Sequence, residues 1–181
     1  MTKALLIIDI QNDYFAGGAM QLVGSDAAAH NAARILASFR EQGLPVIHVQ
    51  HLALSPTATF FLPGTDGAKI HESVAPIDGE TVITKNFPNS FRGTNLKDVL
   101  DGLSLEQLVV VGMMTHMCID TSVRAANDFG FKVTLVSDAC ATLDLEFDGR
   151  TVAAADVQVS YLAAIDGSFA TIVTTDALVG E

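Results

Sequence analysis

Apolar, largely β-branched runs recur along the chain at ALLIIDI (4–10), VIHVQH (46–51), TVITK (81–85), LVVVGM (108–113), KVTLVS (132–137) and ATIVTT (170–175). Each has strand length, and most are apolar at successive positions, the pattern of strands covered on both faces. Between them the period lengthens. From Asp26 to Gln42, Ala28, Ala32, Ile35, Leu36 and Phe39 form one stripe of a helix that Ser25 can cap and Gly43, Leu44 and Pro45 terminate. Thr94 can cap a shorter helix using Leu96, Val99 and Leu100. A third helix, Cys118 to Asp128, is closed by Gly130, and a last one spans Arg150 to Ala164 before Gly167.

Strand and helix alternate throughout, which predicts an α/β fold: three layers, α/β/α, around a mainly parallel, Rossmann-like sheet of about six strands. In such sheets ligands bind beyond the carboxyl ends of the strands, so chemistry is sought just after each apolar run. The longest stretch without regular pattern, Leu52 to Glu80, is long enough to cover a site, and its Phe60 and Phe61 could line a pocket or a subunit interface. No repeat, low-complexity tract or linker interrupts the chain, so residues 1–181 are expected to form a single domain.

Composition narrows the class. With 181 residues, 49% hydrophobic and 17% charged, the chain can bury a substantial core and is not expected to be disordered. No apolar run reaches the roughly 20 residues of a membrane helix, and the start, MTKALLIIDIQND, turns acidic before a signal-type segment develops. A cytoplasmic protein is expected. The net charge of -11 and ten scattered Lys and Arg disfavour nucleic acid and anionic membrane as partners, leaving a small-molecule substrate. Two cysteines, Cys118 and Cys140, are too far apart for Cys-x-x-Cys chemistry and too few for a secreted disulfide framework.

Three strand ends carry chemistry. Asp9 ends the first run, and with Asp13 nearby the turn would repel a pyrophosphate, so NAD and FAD are disfavoured; no phosphate-binding loop occurs elsewhere. Lys85 ends the third run, where a partly desolvated ammonium must find a carboxylate or an anion. Cys118 follows the fourth run at a helix start, where free N–H groups, the helix dipole and a nearby lysine would favour a thiolate. Singly, each residue reads as readily as a cap, a surface ion pair and a buried packing residue. Together, an acid, a cation and a thiol on one rim of a sheet are the parts of an acyl-transfer site.

These segments resemble the isochorismatase-like cysteine hydrolases, a family that includes nicotinamidases and N-carbamoylsarcosine amidases. LLIIDIQNDYF is similar to its opening strand with the catalytic Asp, ITKNFPNSFRGTNL to its Lys segment, and VVVGMMTHMCIDTSVRAANDFGFKVTLVSDAC to its nucleophile region. The resemblance implies a catalytic triad of Asp9, Lys85 and Cys118, a cis peptide at Met113–Met114, and oxyanion donors from the amides of Met114 and Cys118. It implies a hydrolase of amide, carbamoyl or related C–N bonds acting through a thioester, without cofactor, as a homodimer or higher homo-oligomer. Isochorismatase-type ether hydrolysis and metal-dependent nicotinamidase chemistry are the alternatives within the family. Outside it stand a small-molecule-binding protein and a redox thiol protein, the latter needing Cys140 to resolve Cys118.

The metal alternative is disfavoured by pattern. Nicotinamidase-like members carry Asp-x-His after the second strand, and this chain has HVQHLALSP. His48 and His51, three positions apart in a strand, point to opposite faces and cannot grip one ion together, although His71 could join His51. Metal ligands are therefore expected to be none. Phe15, Phe60, Phe91 and His116 are the candidate substrate-binding residues, with Tyr14 and Phe87 as further walls, and the aromatic ones could equally be core. Arg92 and Arg124 could receive a substrate carboxylate, or Arg124 could pair with Asp120 or Asp128. Cys140 and Asp138 read as packing and as a turn or cap, and His30 as solvent-facing.

Overall fold

Six parallel strands lie in the order β3-β2-β1-β4-β5-β8 in the structure, a computed structural model that describes residues 2–180. They are β1 (Lys3–Ile8), β2 (Val46–His51), β3 (Thr81–Lys85), β4 (Gln107–Met113), β5 (Lys132–Ala141) and β8 (Thr171–Val173). A separate antiparallel hairpin joins β6 (Leu145–Phe147) to β7 (Arg150–Val152). The helices are α1 (Ser25–Glu41), α2 (Leu96–Gly102), α3 (Asp120–Asp128), α4 (Ala154–Ile165) and α5 (Thr175–Val179).

The period-two alternation of strands sorts the buried residues into two layers. Leu5, Ile7, Val109 and Val111 face α1, whose Ala28, Ala32, Ile35, Leu36 and Phe39 are the buried stripe the sequence predicts. Ala4, Leu6, Ile8, Leu108 and Val110 face the opposite way, onto Leu96 and Leu100 of α2, Val123 and Ala126 of α3 and Ile165 of α4. With most of these side chains essentially inaccessible, each large aliphatic contributes about 1.5–3 kcal/mol of burial. The result is the three-layer α/β/α arrangement expected.

Local differences have local causes. The α1 helix begins at Ser25 itself, after Gly24 in a left-handed conformation, so Ser25 does not act as a side-chain cap. Thr94 does support α2, its Oγ1 accepting the Leu96 N–H at 3.3 Å. β5 runs on to Ala141, with its register against β4 broken between Val110 and Gly112. Residues 150–152, read as helical, are instead a strand, and α4 starts at Ala154, whose N–H is accepted by Asp144 at 2.7 Å. Among the described residues no helix is long and apolar enough to cross a membrane.

Candidate active site

The sheet changes winding direction beside β1, with β2 on one side and β4 on the other, and the crevice that opens at such a point is where α/β sheets bind ligands. Asp9 leaves β1 at that point. It is fully buried and held at a positive φ of 52°, with its N–H donated to Val49 at 3.0 Å. On edge strand β3, Ile83 and Lys85 are buried while Val82 and Thr84 are exposed, so the period of two turns Lys85 inward. β4 lies close to β1 because Gly112 leaves room: a Cβ there would meet the Ile8 carbonyl oxygen at 2.0 Å. Beyond β4 comes the cis peptide Met113–Met114, then a single π-type turn, Thr115–Ile119, that carries Cys118 before α3 begins at Asp120. Cys118 thus sits in a wide turn two residues before α3, where the sequence pattern began the helix at Cys118 itself.

These elements bring Asp9, Lys85 and Cys118 together. Lys85 Nζ lies 2.6 Å from Asp9 Oδ2 and donates to Cys118 Sγ at 3.3 Å. All three residues are nearly inaccessible. Burial disfavours the Lys85 charge, but the Asp9 carboxylate and the Cys118 sulfur outweigh it and raise its pKa, so the ammonium persists. For Cys118 burial and then the Asp9 charge outweigh Lys85, and the pKa rises well above the ordinary thiol range. That direction runs against the thiolate that a helix start and a nearby lysine would favour. Asp9 Oδ1 has no hydrogen-bond donor among the described residues, which leaves its lone pairs open to receive a proton.

His51 is a fourth member that the sequence reading considered only as a metal ligand. It is the direct register partner of Lys85 across β2 and β3, and its Nδ1 lies 2.8 Å from Lys85 Nζ. Asp9, His51 and Cys118 each offer a metal-ligating atom, all within 4.8 Å of one another. Yet the Lys85 ammonium contacts all three, so the chain's own cation neutralises the donors and a metal ion would meet it at like charge. The set does not fit a bound metal. His48 faces the other way, as expected, its Nε2 2.8 Å from Glu80. His71 is engaged elsewhere, stacked on Phe15 at 3.8 Å between centroids with its Nδ1 on Ser73 at 2.9 Å.

The candidate pocket residues divide. Phe60 packs with Tyr14 and Phe61, and Phe61 packs in turn with His51 at 5.8 Å, so the long loop reaches the neighbour of Lys85. Tyr14 is buried there too; burial first, then the charges of Cys118, Asp9 and Asp13, keep its hydroxyl protonated. Phe15 is buried beneath His71. Phe91 turns to Phe129 at the distal end of α3, 5.1 Å between centroids, and packs half-buried against the core, the alternative the sequence left open for it. His116, within the π-type turn, lies toward α4, its Nδ1 2.7 Å from Thr142 Oγ1 and its ring edge-on to Tyr161. Arg92 covers Phe87 at 3.8 Å, and Arg124 pairs with Asp120 at 2.9 Å. Cys140 is buried in β5 and unbonded to Cys118, its thiol pushed up to about 12 by burial. A cavity of about 520 Å³ bordered by Arg40, Pro45, Ile77 and Glu80 lies at the amino ends of the strands, away from this cluster.

The family description "Isochorismatase domain" matches residues 3–177. The isochorismatase family protein YddQ of Bacillus subtilis is 50% identical over 177 residues, covering 98% of each chain. A crystal structure from Oleispira antarctica, assigned to the isochorismatase hydrolases, superimposes with a TM-score of 0.96 at 52% identity, covering 99% of this chain and 97% of that one. The maleamate amidohydrolase of Pseudomonas putida is 31% identical over 149 residues, 75% of this chain and 70% of its own. The chain belongs to the isochorismatase family of hydrolases.

Proposed function

We propose that this isochorismatase-family hydrolase cleaves a small amide, carbamoyl or related C–N bond with Cys118 as nucleophile. The observation that carries the reading is the single ammonium, Lys85 Nζ, in contact with both the Asp9 carboxylate and the Cys118 sulfur. A neutral thiol beside an undersaturated carboxylate needs only one proton transfer to become a nucleophile. Asp9 takes that proton as the sulfur attacks the substrate carbonyl carbon, and Lys85 compensates the negative charge passing from carboxylate to sulfur. The same proton, returned from Asp9, allows the amine or ammonia to leave, and water then opens the thioester with Asp9 as base again.

The developing oxyanion requires donors, and the amides of Met114 and Cys118 are assigned this role, each worth about 3 kcal/mol. Supporting the assignment, the Met114 carbonyl is turned away to accept from Met117 and Ile119, flanking the nucleophile within one turn. An amidohydrolase among the relatives supports the amide class. The net charge of -11 supports a small-molecule partner over nucleic acid.

Turnover of a panel of small amides, carbamoyl compounds and vinyl ethers by the parent, Cys118→Ala and Cys118→Ser tests the reading. Loss of amide turnover by at least about 10³-fold in both variants is expected. Undiminished turnover in both would refute it, and turnover confined to ethers would favour the ether-hydrolase alternative.

A further inference from the structure

The cysteine-hydrolase reading leaves one half-buried group without a role. His51 does not fit as a metal ligand and is not part of the acid, cation and thiol set, yet the chain fixes it with unusual care. The register of β2 against β3 sets it directly beside Lys85, on the same face of the sheet. Gln11, fully buried just beyond β1, gives both ends of its side chain to the His51 backbone, Oε1 accepting the N–H at 2.8 Å and Nε2 donating to the carbonyl at 2.9 Å. On its other side the His51 ring rests near Phe61.

A lysine ammonium has three hydrogens and no acceptor. Around Lys85 Nζ stand three groups: Asp9 Oδ2 at 2.6 Å, His51 Nδ1 at 2.8 Å and Cys118 Sγ at 3.3 Å. Because the ammonium can only donate, Nδ1 must be the unprotonated nitrogen and the ring proton must sit on Nε2. We propose that His51 is a positioning residue whose Nδ1 takes one ammonium hydrogen of Lys85 and so fixes the charge between carboxylate and thiol. Burial, and then the Lys85 charge, lower the His51 pKa against the opposing pull of Asp9, which keeps the acceptor available. Without it one ammonium hydrogen is orphaned in a dry site, and the charge can swing toward Asp9, the strongest partner, away from the sulfur.

This inference rests on the cysteine-hydrolase reading, and its test separates the two. The amide turned over best by the parent is assayed with His51→Asn, His51→Leu and Cys118→Ala. Asn places an amide oxygen close to the position of Nδ1, whereas Leu fills the space beside Phe61 but accepts nothing. The expected result is a kcat loss of about 10–100-fold in His51→Leu with KM changed by less than about 3-fold, and recovery to within about 5-fold of the parent in His51→Asn. A packing role would reverse that order, with Leu the better substitute, and would overturn the inference, as would parental kcat in both. Parental turnover by Cys118→Ala would instead overturn the underlying reading. Should His51→Leu fail to fold, a kcat for soluble, folded His51→Asn more than about 100-fold below the parent would overturn the inference by itself.

Discussion

The Asp13 carboxylate accepts the N–H of Phe61 at 2.6 Å, binding the covering loop to the turn that follows β1. Its other oxygen takes the Ala19 N–H at 3.1 Å, and Gly67 passes so close that a Cβ would meet the carboxylate at 2.1 Å. Asp13 is thus the anchor of the loop, distinct from Asp9 in both place and task. Asp13→Ala strands two amides and is expected to cost about 2–3 kcal/mol, read by chemical denaturation. Limited proteolysis should show faster cleavage within residues 52–69; an unchanged cleavage pattern would count against the anchor.

Gly112 is required by close approach as well as by its φ of 131°. Gly112→Ala must push β4 from β1 at the strand ends that carry Asp9 and the π-type turn. A loss of about 3 kcal/mol or more is expected, together with loss of turnover. A folded variant with parental stability and activity would show that the approach is not needed.

The layers, the buried stripe of α1 and the meeting of Asp9, Lys85 and Cys118 on one rim were legible in the sequence because each depends on local period or on position after a strand. The strand at 150–152 was not, since three exposed residues before a helix carry no periodic signal. Phe91 was left open for a similar reason: an aromatic residue near a strand end looks the same whether it faces ligand or core, and the packing of α3 sets its contact with Phe129. His51 was hidden by a rule that worked. Two histidines three apart do point to opposite faces, but that argument disposes of a shared metal and leaves each histidine's own partner unasked. The clue was there in the register that alternation implies, with the last residue of β2 beside the last of β3.

The protonation state of Cys118 gives a pH test with opposite signs for two observables. Burial and then Asp9 raise the thiol pKa, so alkylation by iodoacetamide should climb with pH beyond the ordinary thiol midpoint without levelling. Asp9→Asn removes the repelling charge and should shift that midpoint down, while lowering kcat by about 10²–10⁴-fold through loss of the base. An upward shift of the midpoint in Asp9→Asn would contradict the electrostatic account.

Glu80 makes a second, purely structural prediction. Burial opposes its ionisation, but hydrogen bonds from Arg40, the Ile77 N–H and His48 outweigh it and hold the carboxyl at about 2, below its ordinary 4.5. A group depressed on folding contributes stability that is complete above the unfolded value and lost as pH falls toward the folded one. Parent stability should therefore decline as pH drops from 4.5 to 2, and Glu80→Gln should flatten that decline. At neutral pH the same substitution is expected to lower Tm by about 3–8 °C. Parallel pH profiles for parent and variant would remove Glu80 from the acid response.

The central claim is that Cys118 forms a covalent acyl intermediate. Acid-quenching the parent during turnover of its best amide, followed by intact and peptide mass measurement, tests it most directly. The account predicts an added mass equal to the acyl group, located on the peptide containing Cys118 and absent from Cys118→Ala. No adduct on Cys118, with parental turnover retained by Cys118→Ala, would contradict it.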